Sequence, residues 1–252
     1  MSRNVCLVLA LILGVAGCAS TREKAIKDPE KDPQNQYEKA VISVRYDLED
    51  EALKYLNLAL SLDPAHAPSL LLLGNVHFKK GNFNEAAAAF QKYLELRPND
   101  SEAHINLGLT YEKLGMADKS EAEYATALGL DGNPSAAFGL AKLCYEQNKL
   151  EPALEHIQKA IEKNVKSAAY YNLQGVILNQ MHRYADALPS FQTALILAPD
   201  DIYVTINLGI AYINIKEPAK ASDLFEKLLP RVRDEELKAK INEYLKFIKD
   251  NS

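Results

Sequence analysis

The stretch "LLLLGNVHFKKGNFNEAAAAFQKYLELRPND" spans Leu70–Asp100, and the chain repeats it with changes directly afterwards. The stretch from His104 to Asn133 reads "HINLGLTYEKLGMADKSEAEYATALGLDGN". Gly74 of the first copy lies 34 residues before Gly108 of the second. A fixed period of this length predicts stacked copies of one helical or strand unit rather than a single closed core.

The same period accounts for most of the chain. Gly175 and Gly209 are again 34 residues apart, and Ala141 holds the equivalent place in a unit that is one residue shorter. We therefore predict six repeats, which span residues 33–66, 67–100, 101–133, 134–167, 168–201 and 202–233.

Two small residues and one large apolar residue recur at fixed places in these repeats. The first small residue is Ala40, Gly74, Gly108, Ala141, Gly175 or Gly209. The second small residue is Ala52, Ala86, Ser120, Ala153, Ala187 or Ala221. The large residue that follows is Leu56, Phe90, Tyr124, Ile157, Phe191 or Phe225. Apolar residues at three- and four-residue spacing predict amphipathic helices, and the small residues allow two helices to approach closely.

Turn and capping residues mark where these helices begin and end. Gly81 and Gly115 fall where first helices should stop, because glycine readily adopts the left-handed conformation of a C-cap. The stretches Arg97–Ser101 ("RPNDS") and Ala198–Ile202 ("APDDI") supply an N-cap for the next helix. Pro218 stands near the start of a second helix, where its missing N–H costs little.

Together, these recurring positions resemble the tetratricopeptide repeat (TPR) family. The resemblance implies an all-α fold, a right-handed solenoid of about six helix-turn-helix repeats that bury a continuous core between neighbours. Residues 234–252 would cap this stack as a final helix, because an apolar stripe runs through an otherwise charged segment. The stripe consists of Leu237, Ile241, Leu245 and Ile248.

The first residues have the pattern of a secretory signal peptide. Arg3 precedes an apolar segment from Val5 to Val15, whose helical length of roughly 16 Å is too short to span a bilayer. The next residues, Val15–Cys18, resemble the lipobox of bacterial lipoproteins. That resemblance implies removal of residues 1–17 and lipidation of Cys18 by fatty chains such as palmitate. The alternative is an ordinary secretory signal with a cysteine near its cleavage site.

A lipidated Cys18 would anchor the protein to a membrane of the bacterial cell envelope, because two or three acyl chains inserted in a bilayer keep a protein bound to it stably. Ala19, rather than Asp, follows the cysteine, which resembles lipoproteins sorted to the outer membrane. We therefore expect the periplasmic face of that membrane. Residues 18–32 are polar with one large apolar residue, and they predict a flexible tether.

Composition argues against several classes of function. The chain has 34 acidic and 29 basic residues, so its net charge of −5 gives no reason to expect nucleic-acid binding. Once Cys6 leaves with the signal and Cys18 is lipidated, Cys144 has no partner for a disulfide. We predict that Cys144 is a buried structural residue rather than a nucleophile.

The sequence contains no motif for catalysis or metal binding. Its histidines fall in different helices or turns, without metal-binding spacing, at His66, His77, His104, His156 and His182. It has no HExxH motif, no paired cysteines and no glycine-rich phosphate loop. We predict no enzyme activity, no metal and no cofactor. A cryptic enzyme would need an acid, a base and a nucleophile clustered in one groove.

The TPR resemblance also implies a working surface, because the first helices of this family line a concave groove that binds ligands. The groove positions hold Tyr37, Val41, Leu71, Asn75, Phe78, Ile105, Leu109, Phe138, Tyr145, Asn172, Val176, Tyr203, Ile206, Ile210 and Ile213. The same register also includes Val44, Lys79, Glu112, Lys113, Lys142 and Asn179. This set is more apolar than a solvated surface needs, which indicates an interaction site.

We expect the groove to accept an amphipathic helix or an extended apolar segment of another envelope protein. The alternative is that neighbouring helices or the C-terminal helix cover these side chains. A clamp for a C-terminal carboxylate is disfavoured, although Asn75 and Asn106 occupy two of its places. The places of its cations hold Leu71, Ser135 and Gly139, so the charge-assisted bonds are missing.

Three functions remain after this reasoning. The first is a membrane-anchored scaffold or assembly factor that binds proteins through its groove. The second is a special case of the first: a lipoprotein with about six such repeats resembles the pilotins of type IV pili, which aid assembly of an outer-membrane secretin. The third is an adaptor for enzymes of peptidoglycan or polysaccharide synthesis and export.

Overall fold

The computed structural model describes residues 29–251, and thirteen α-helices make up most of this part. The predicted all-α repeat fold is confirmed. The signal peptide (residues 1–17), Cys18 and most of the tether lie outside the described residues. Within residues 29–251, no helix is both long and apolar enough to cross a membrane. The described residues form two compact units, one that ends at His66 and one that begins at Ala67.

The first unit holds one helix pair, α1 (Pro33–Arg45) and α2 (Glu49–Leu62). A short 3₁₀ turn, Pro29–Lys31, precedes it and folds back onto α1. The backbone carbonyl of Glu30 accepts a hydrogen bond from Nε2 of the buried Gln36 at 2.9 Å. The Glu30 carboxylate lies 2.6 Å from Nζ of Lys39. The end of the predicted tether is therefore tied to the first helix.

The second unit, from Ala67 onward, holds five helix pairs and a final single helix. The pairs are α3 (Ala67–Lys79) with α4 (Phe83–Leu96), α5 (Ser101–Lys113) with α6 (Ala117–Asp131), α7 (Pro134–Glu146) with α8 (Leu150–Lys163), α9 (Ala168–Gln180) with α10 (Tyr184–Leu197), and α11 (Ile202–Asn214) with α12 (Pro218–Leu228). The last helix is α13 (Glu235–Asp250). Each first helix of this unit contacts the first helix of the next pair, so these helices share one surface.

Within each helix pair, the size of the small residue on the first helix is matched by the size of the large residue on the second helix. Where the first helix carries glycine, the second helix carries an aromatic ring; where it carries alanine, the second carries Leu or Ile. A Cβ atom added to Gly175 would lie 2.6 Å from the Phe191 ring, which leaves no room for alanine. In the fourth repeat, by contrast, Ala141 faces the smaller Ile157, and both are completely buried.

The turns within the pairs use a left-handed residue in all six repeats. Gly81 and Gly115 have φ values of +78° and +71°, as the sequence predicts. In the other four repeats a non-glycine residue adopts the same conformation, at Asp47, Asn148, His182 and Lys216. L-residues pay about 1–2 kcal/mol for this conformation, least for Asn and Asp. The sequence does not reveal these four strained turns.

Aspartate caps begin the helices that the sequence marks for them. The Asp100 side chain accepts a hydrogen bond from the backbone N–H of Ala103 at 3.0 Å, at the start of α5. Asp201 accepts from the backbone N–H groups of Tyr203 and Val204, at the start of α11. These carboxylates satisfy N–H groups that have no partner inside the helix, which fixes where each helix starts.

The final helix, α13, covers the end of the second unit. Ile241 and Ile248 from the predicted apolar stripe are buried, and they pack in one cluster with Phe225 of α12. The rings of Phe225 and Tyr244 stack at a centroid distance of 5.5 Å. The amphipathic segment therefore shields an apolar face that the last helix pair would otherwise leave open.

Candidate partner-binding groove

An open cavity of about 360 Å³ lies on the surface formed by α7, α9 and the start of α11. It brings together five residues that the sequence assigns to the groove register: Phe138, Lys142, Tyr145, Asn172 and Val176. They come from two first helices that neighbour each other, so their spacing across repeats, not along one helix, creates the cavity. We refer to this cavity as the α7–α9 cavity.

The walls of the α7–α9 cavity are fixed by contacts behind them. The Phe138 ring stacks on the buried Tyr170 at a centroid distance of 5.0 Å. Lys142 forms an ion pair with Glu112 of α5, and Glu112 also accepts a hydrogen bond from the Tyr124 hydroxyl at 3.3 Å. Burial and the nearby Glu112 raise the pKa of Tyr124, so its hydroxyl stays protonated and able to donate. The positive charge of Lys142 therefore has a partner within the protein.

Two asparagine pairs join α9 to α11 beside this cavity. Nδ2 of Asn207 donates to Oδ1 of Asn172 at 3.0 Å. Two helical turns further on, Nδ2 of Asn214 donates to Oδ1 of Asn179 at 2.9 Å. Asn172 and Asn179 belong to the predicted groove register, whereas Asn207 and Asn214 do not. Their pairing across helices becomes visible only in the structure.

Other predicted groove residues lie outside the α7–α9 cavity. In the second unit Leu71, Phe78 and Leu109 are half-buried, and Asn75 is exposed. Tyr203, at the start of α11, is 68% exposed. Tyr37, Val41 and Val44 are half-buried in the first unit.

Two predicted groove residues are not accessible to a partner, which corrects their assignment. Ile105 is only 8% exposed and packs with Tyr124 and Leu140. Ile206 is 6% exposed and belongs to the cluster that includes Ile241 of α13. Ile105 thus lies in a core shared by two successive helix pairs, and Ile206 lies in the core shared by the last pair and α13.

Ile210 and Ile213 pack against the same cluster as the α13 residues. Both side chains are half-buried, and Tyr203 of the same repeat is 68% exposed. The last repeat therefore still has accessible residues in the groove register.

The cavity also contains residues outside the predicted groove register. They are Glu146, Ala169, Leu173, Asp201 and Val204. Asp201 stands in the turn before α11 and serves as its N-cap. A turn residue of one repeat can line a cavity formed by its neighbours only because the repeats stack, so the single-repeat register does not predict it.

No metal site is assembled in the described part of the chain, since no three His, Cys, Asp or Glu side chains gather there as ligands. Cys144 is buried in an apolar cluster with Ile157 and Ile177, as predicted. Burial raises the pKa of its thiol, which disfavours the reactive thiolate.

Family models match a long part of the chain. The model described as TPR repeat matches residues 74–115. Two models described as tetratricopeptide repeat match residues 105–170 and 138–202, and residues 178–241. Together these matches run without a gap from residue 74 to residue 241, which is two thirds of the chain.

Solved structures share the fold. A tetratricopeptide repeat protein from Parabacteroides merdae superposes with a TM-score of 0.72 at 20% identity, covering 86% of this chain and 88% of that one. PilW, described as a widely conserved type IV pilus biogenesis factor, gives a TM-score of 0.69 at 16% identity, covering 82% of this chain and 97% of that one.

Among curated proteins, the type IV pilus assembly protein PilF of Pseudomonas aeruginosa is 33% identical over 141 residues, which are 53% of this chain and 54% of PilF. The anaphase-promoting complex subunit 3 of Schizosaccharomyces pombe is 26% identical over 160 residues, 63% of this chain and 24% of that protein. The chain thus spans about a quarter to about half of the length of these relatives. Its helix pairs, the family models and the structural neighbours show that the chain belongs to the tetratricopeptide repeat family, whose repeats serve as protein–protein interaction scaffolds.

Proposed function

We propose that the chain is a lipid-anchored scaffold of the bacterial cell envelope that assists assembly of the type IV pilus machinery, in the manner of a pilotin. The observation that carries this proposal is the 33% identity with the type IV pilus assembly protein PilF over 141 residues. The likeness of fold to PilW over 82% of this chain is consistent with it.

The α7–α9 cavity is the surface with which the scaffold would hold its partner. Phe138, Tyr145 and Val176 give it an apolar lining, and all three remain partly accessible. Burial of an apolar partner side chain here would supply the favourable term, at about 25 cal/mol for each Å² removed from water. A charge placed in this lining, as in Phe138→Asp, would oppose that burial.

The anchor would be Cys18. Acyl chains on this residue would keep the repeats at the outer membrane, where a secretin ring is assembled. Labelling cells with a palmitate analogue tests this directly. The wild-type protein should carry the label and fractionate with membranes, whereas Cys18→Ala should be unlabelled and released from the outer-membrane fraction.

The decisive experiment deletes the gene in its host and measures secretin multimers and twitching motility. We expect both to be lost, and to return with the wild-type gene but not with Phe138→Asp. Ile196→Asp is the matched control, because Ile196 is exposed on the second helix α10, outside the groove. Normal secretin multimers and motility in the deletion strain would reject the pilus function. Full complementation by Phe138→Asp would reject the cavity as the partner site.

A further inference from the structure

We propose that residues 20–28 of this chain form a short helix that packs on α1 and closes the open end of the first unit. These residues lie outside the described part of the chain, directly before the 3₁₀ turn Pro29–Lys31. The helix α1 offers them an uncovered apolar face, and the turn after α1 carries a complementary charge. The contact lies within one chain, so it does not depend on the pilus function.

The uncovered face of α1 centres on Ile42, which is 54% exposed. In the third to sixth repeats the same place is at most 3% exposed, and it holds Thr110, Leu143, Ile177 and Ala211. There the second helix of the preceding pair packs on the first helix that carries this residue. In the described part of the chain no helix pair precedes α1, so Ile42 lacks this covering helix. Tyr46, one helical turn further along, extends the face and is 74% exposed.

The chain that precedes α1 already runs along this face. Glu30 comes three residues before α1, yet its backbone carbonyl and its carboxylate bond to Gln36 and Lys39. The chain therefore passes from the start of α1 toward its end when it is followed backward. Lys39 and Ile42 are three residues apart and lie on one side of the helix. Residues before Glu30 that continue in this direction reach Ile42.

Residues 20–28, "STREKAIKD", have the sequence of a short helix. Ser20 and Glu23 match the S-x-x-E pattern of a capping box, which starts a helix. Pro29 ends it, because a residue before proline is disfavoured in the helical conformation. A helix of about two turns is marginal in water by itself, so it needs a surface to pack on. Ile26 is the one large apolar residue that it can bury.

The spacing along both helices places Ile26 against Ile42. Ile26 precedes Glu30 by four residues, which is about 6 Å along a helix. Because Glu30 pairs with Lys39, the same distance measured along α1 from Lys39 ends beside Ile42. The two branched side chains would then cover each other, as the neighbouring helices do in the later repeats.

The charges favour the same orientation. Residues 45–51, at the end of α1 and the start of α2, carry four acidic side chains and one basic side chain. In the docked helix, Arg22 lies one turn beyond Ile26 and comes level with this acidic turn. Exposed ion pairs add little stability, but complementary charges fix the direction in which a segment binds.

A docked helix would also set the distance between the repeats and the membrane. If acyl chains hold Cys18, only about 7 Å of extended chain separates this residue from Ser20, the first residue of the cap. The first repeat would then stay at the bilayer surface instead of moving on a longer free tether. This consequence rests on the proposed lipidation of Cys18, whereas the contact with α1 does not.

Disulfide formation tests the contact in the full mature chain, purified in detergent. Ile26→Cys with Ile42→Cys should form a disulfide under mild oxidation, because docking brings the two Cβ atoms to the separation of about 4 Å that the bond needs. Ile26→Cys with Leu62→Cys is the matched control. Leu62 is 38% exposed and ends α2, at the opposite end of this helix pair from Ile42. The first pair should react at least about tenfold faster than the control pair.

Mass spectrometry of the tryptic peptides identifies which cysteines are joined. Equal rates for the two pairs would show a freely moving tether and would overturn the proposal. A dimer joined through Ile42→Cys of two molecules would show that a second copy covers this face, and it would overturn the proposal as well.

Limited digestion with trypsin gives a second measurement without oxidation. Ile42→Asp should speed cleavage after Arg22 and Lys24 roughly tenfold, because it sets a charge against Ile26 and undocks the helix. Leu62→Asp should leave these rates unchanged. Cleavage of Ile42→Asp at the wild-type rate would contradict the contact. Circular dichroism of each variant excludes loss of fold as the cause, and unchanged palmitate labelling excludes loss of the anchor.

Discussion

Replacing Gly175 by alanine should destabilise the protein, although alanine is the better helix former. The new Cβ atom would lie 2.6 Å from Cε1 of Phe191, with two further ring carbons at 2.7 and 2.8 Å. Overpacking of this kind costs about 1–3 kcal/mol. The gain in helix propensity, about 1 kcal/mol, offsets part of that cost. We expect a net loss of about 1 kcal/mol in the free energy of unfolding.

The fourth repeat suggests a second substitution that should compensate for Gly175→Ala. Phe191→Ile alone removes a buried ring and should cost about 1–3 kcal/mol, because the space is not refilled. The double variant Gly175→Ala with Phe191→Ile recreates the combination of Ala141 and Ile157 in the fourth repeat. The added methyl then fills space that the ring has left. The two changes should therefore offset each other by about 1 kcal/mol or more relative to their sum.

Urea-induced unfolding of the full chain, followed by circular dichroism, measures all three variants. Gly129→Ala is the matched control: Gly129 lies in α6, and a Cβ there meets no atom within 4 Å. It should stabilise the protein by about 0.5–1 kcal/mol. The reasoning fails if Gly175→Ala stabilises like Gly129→Ala, or if the effects of Gly175→Ala and Phe191→Ile simply add.

Three further predictions concern turns, histidines and the thiol. Lys216→Gly should raise stability by about 0.5 kcal/mol, since glycine relieves the positive φ at some entropic cost; an unchanged melting temperature would argue against strain. His182→Gly should gain less, because it also removes the 2.6 Å hydrogen bond between His182 Nδ1 and the Tyr184 hydroxyl. Burial lowers the pKa of His77 and His156, so the unfolded chain protonates first as the pH falls. The two histidines should therefore contribute to the free energy of unfolding above about pH 6.5, and this contribution should be lost as the pH falls toward 5. The double variant His77→Asn with His156→Asn should show a smaller decline in melting temperature over the same range. Cys144 should react with a thiol reagent at pH 8 much more slowly in the folded protein than in urea; equal rates would contradict its burial.

The sequence predicts the fold well because the information is local and repeated six times. Small residues such as Gly74 and large ones such as Phe90 recur at one period, and both are buried as expected. Capping residues such as Asp100 act within three residues of their position. Short-range chemistry of this kind can be read without knowing how the repeats stack.

The candidate site is less predictable because accessibility depends on neighbours. Ile105 and Phe138 occupy the same groove register, yet one is buried in the core and the other lines a cavity. The pairing of Asn172 with Asn207 joins residues of different repeats. Likewise, Ile206 is buried in a cluster that combines residues of α11, α12 and α13, and periodicity does not contain such tertiary contacts. The register selects candidates, and stacking decides which of them a partner can touch.

The terminal helix α13 also has a consequence for how this protein can change length during evolution. Within the second unit each first helix contacts the first helix of the next pair, so insertion or deletion of a whole repeat there would keep the same kind of contact on both sides. The stripe of Ile241 and Ile248 packs with Phe225 of the last pair. We therefore expect gains and losses of repeats upstream of α11 to lengthen or shorten the groove surface while α13 still covers the last pair.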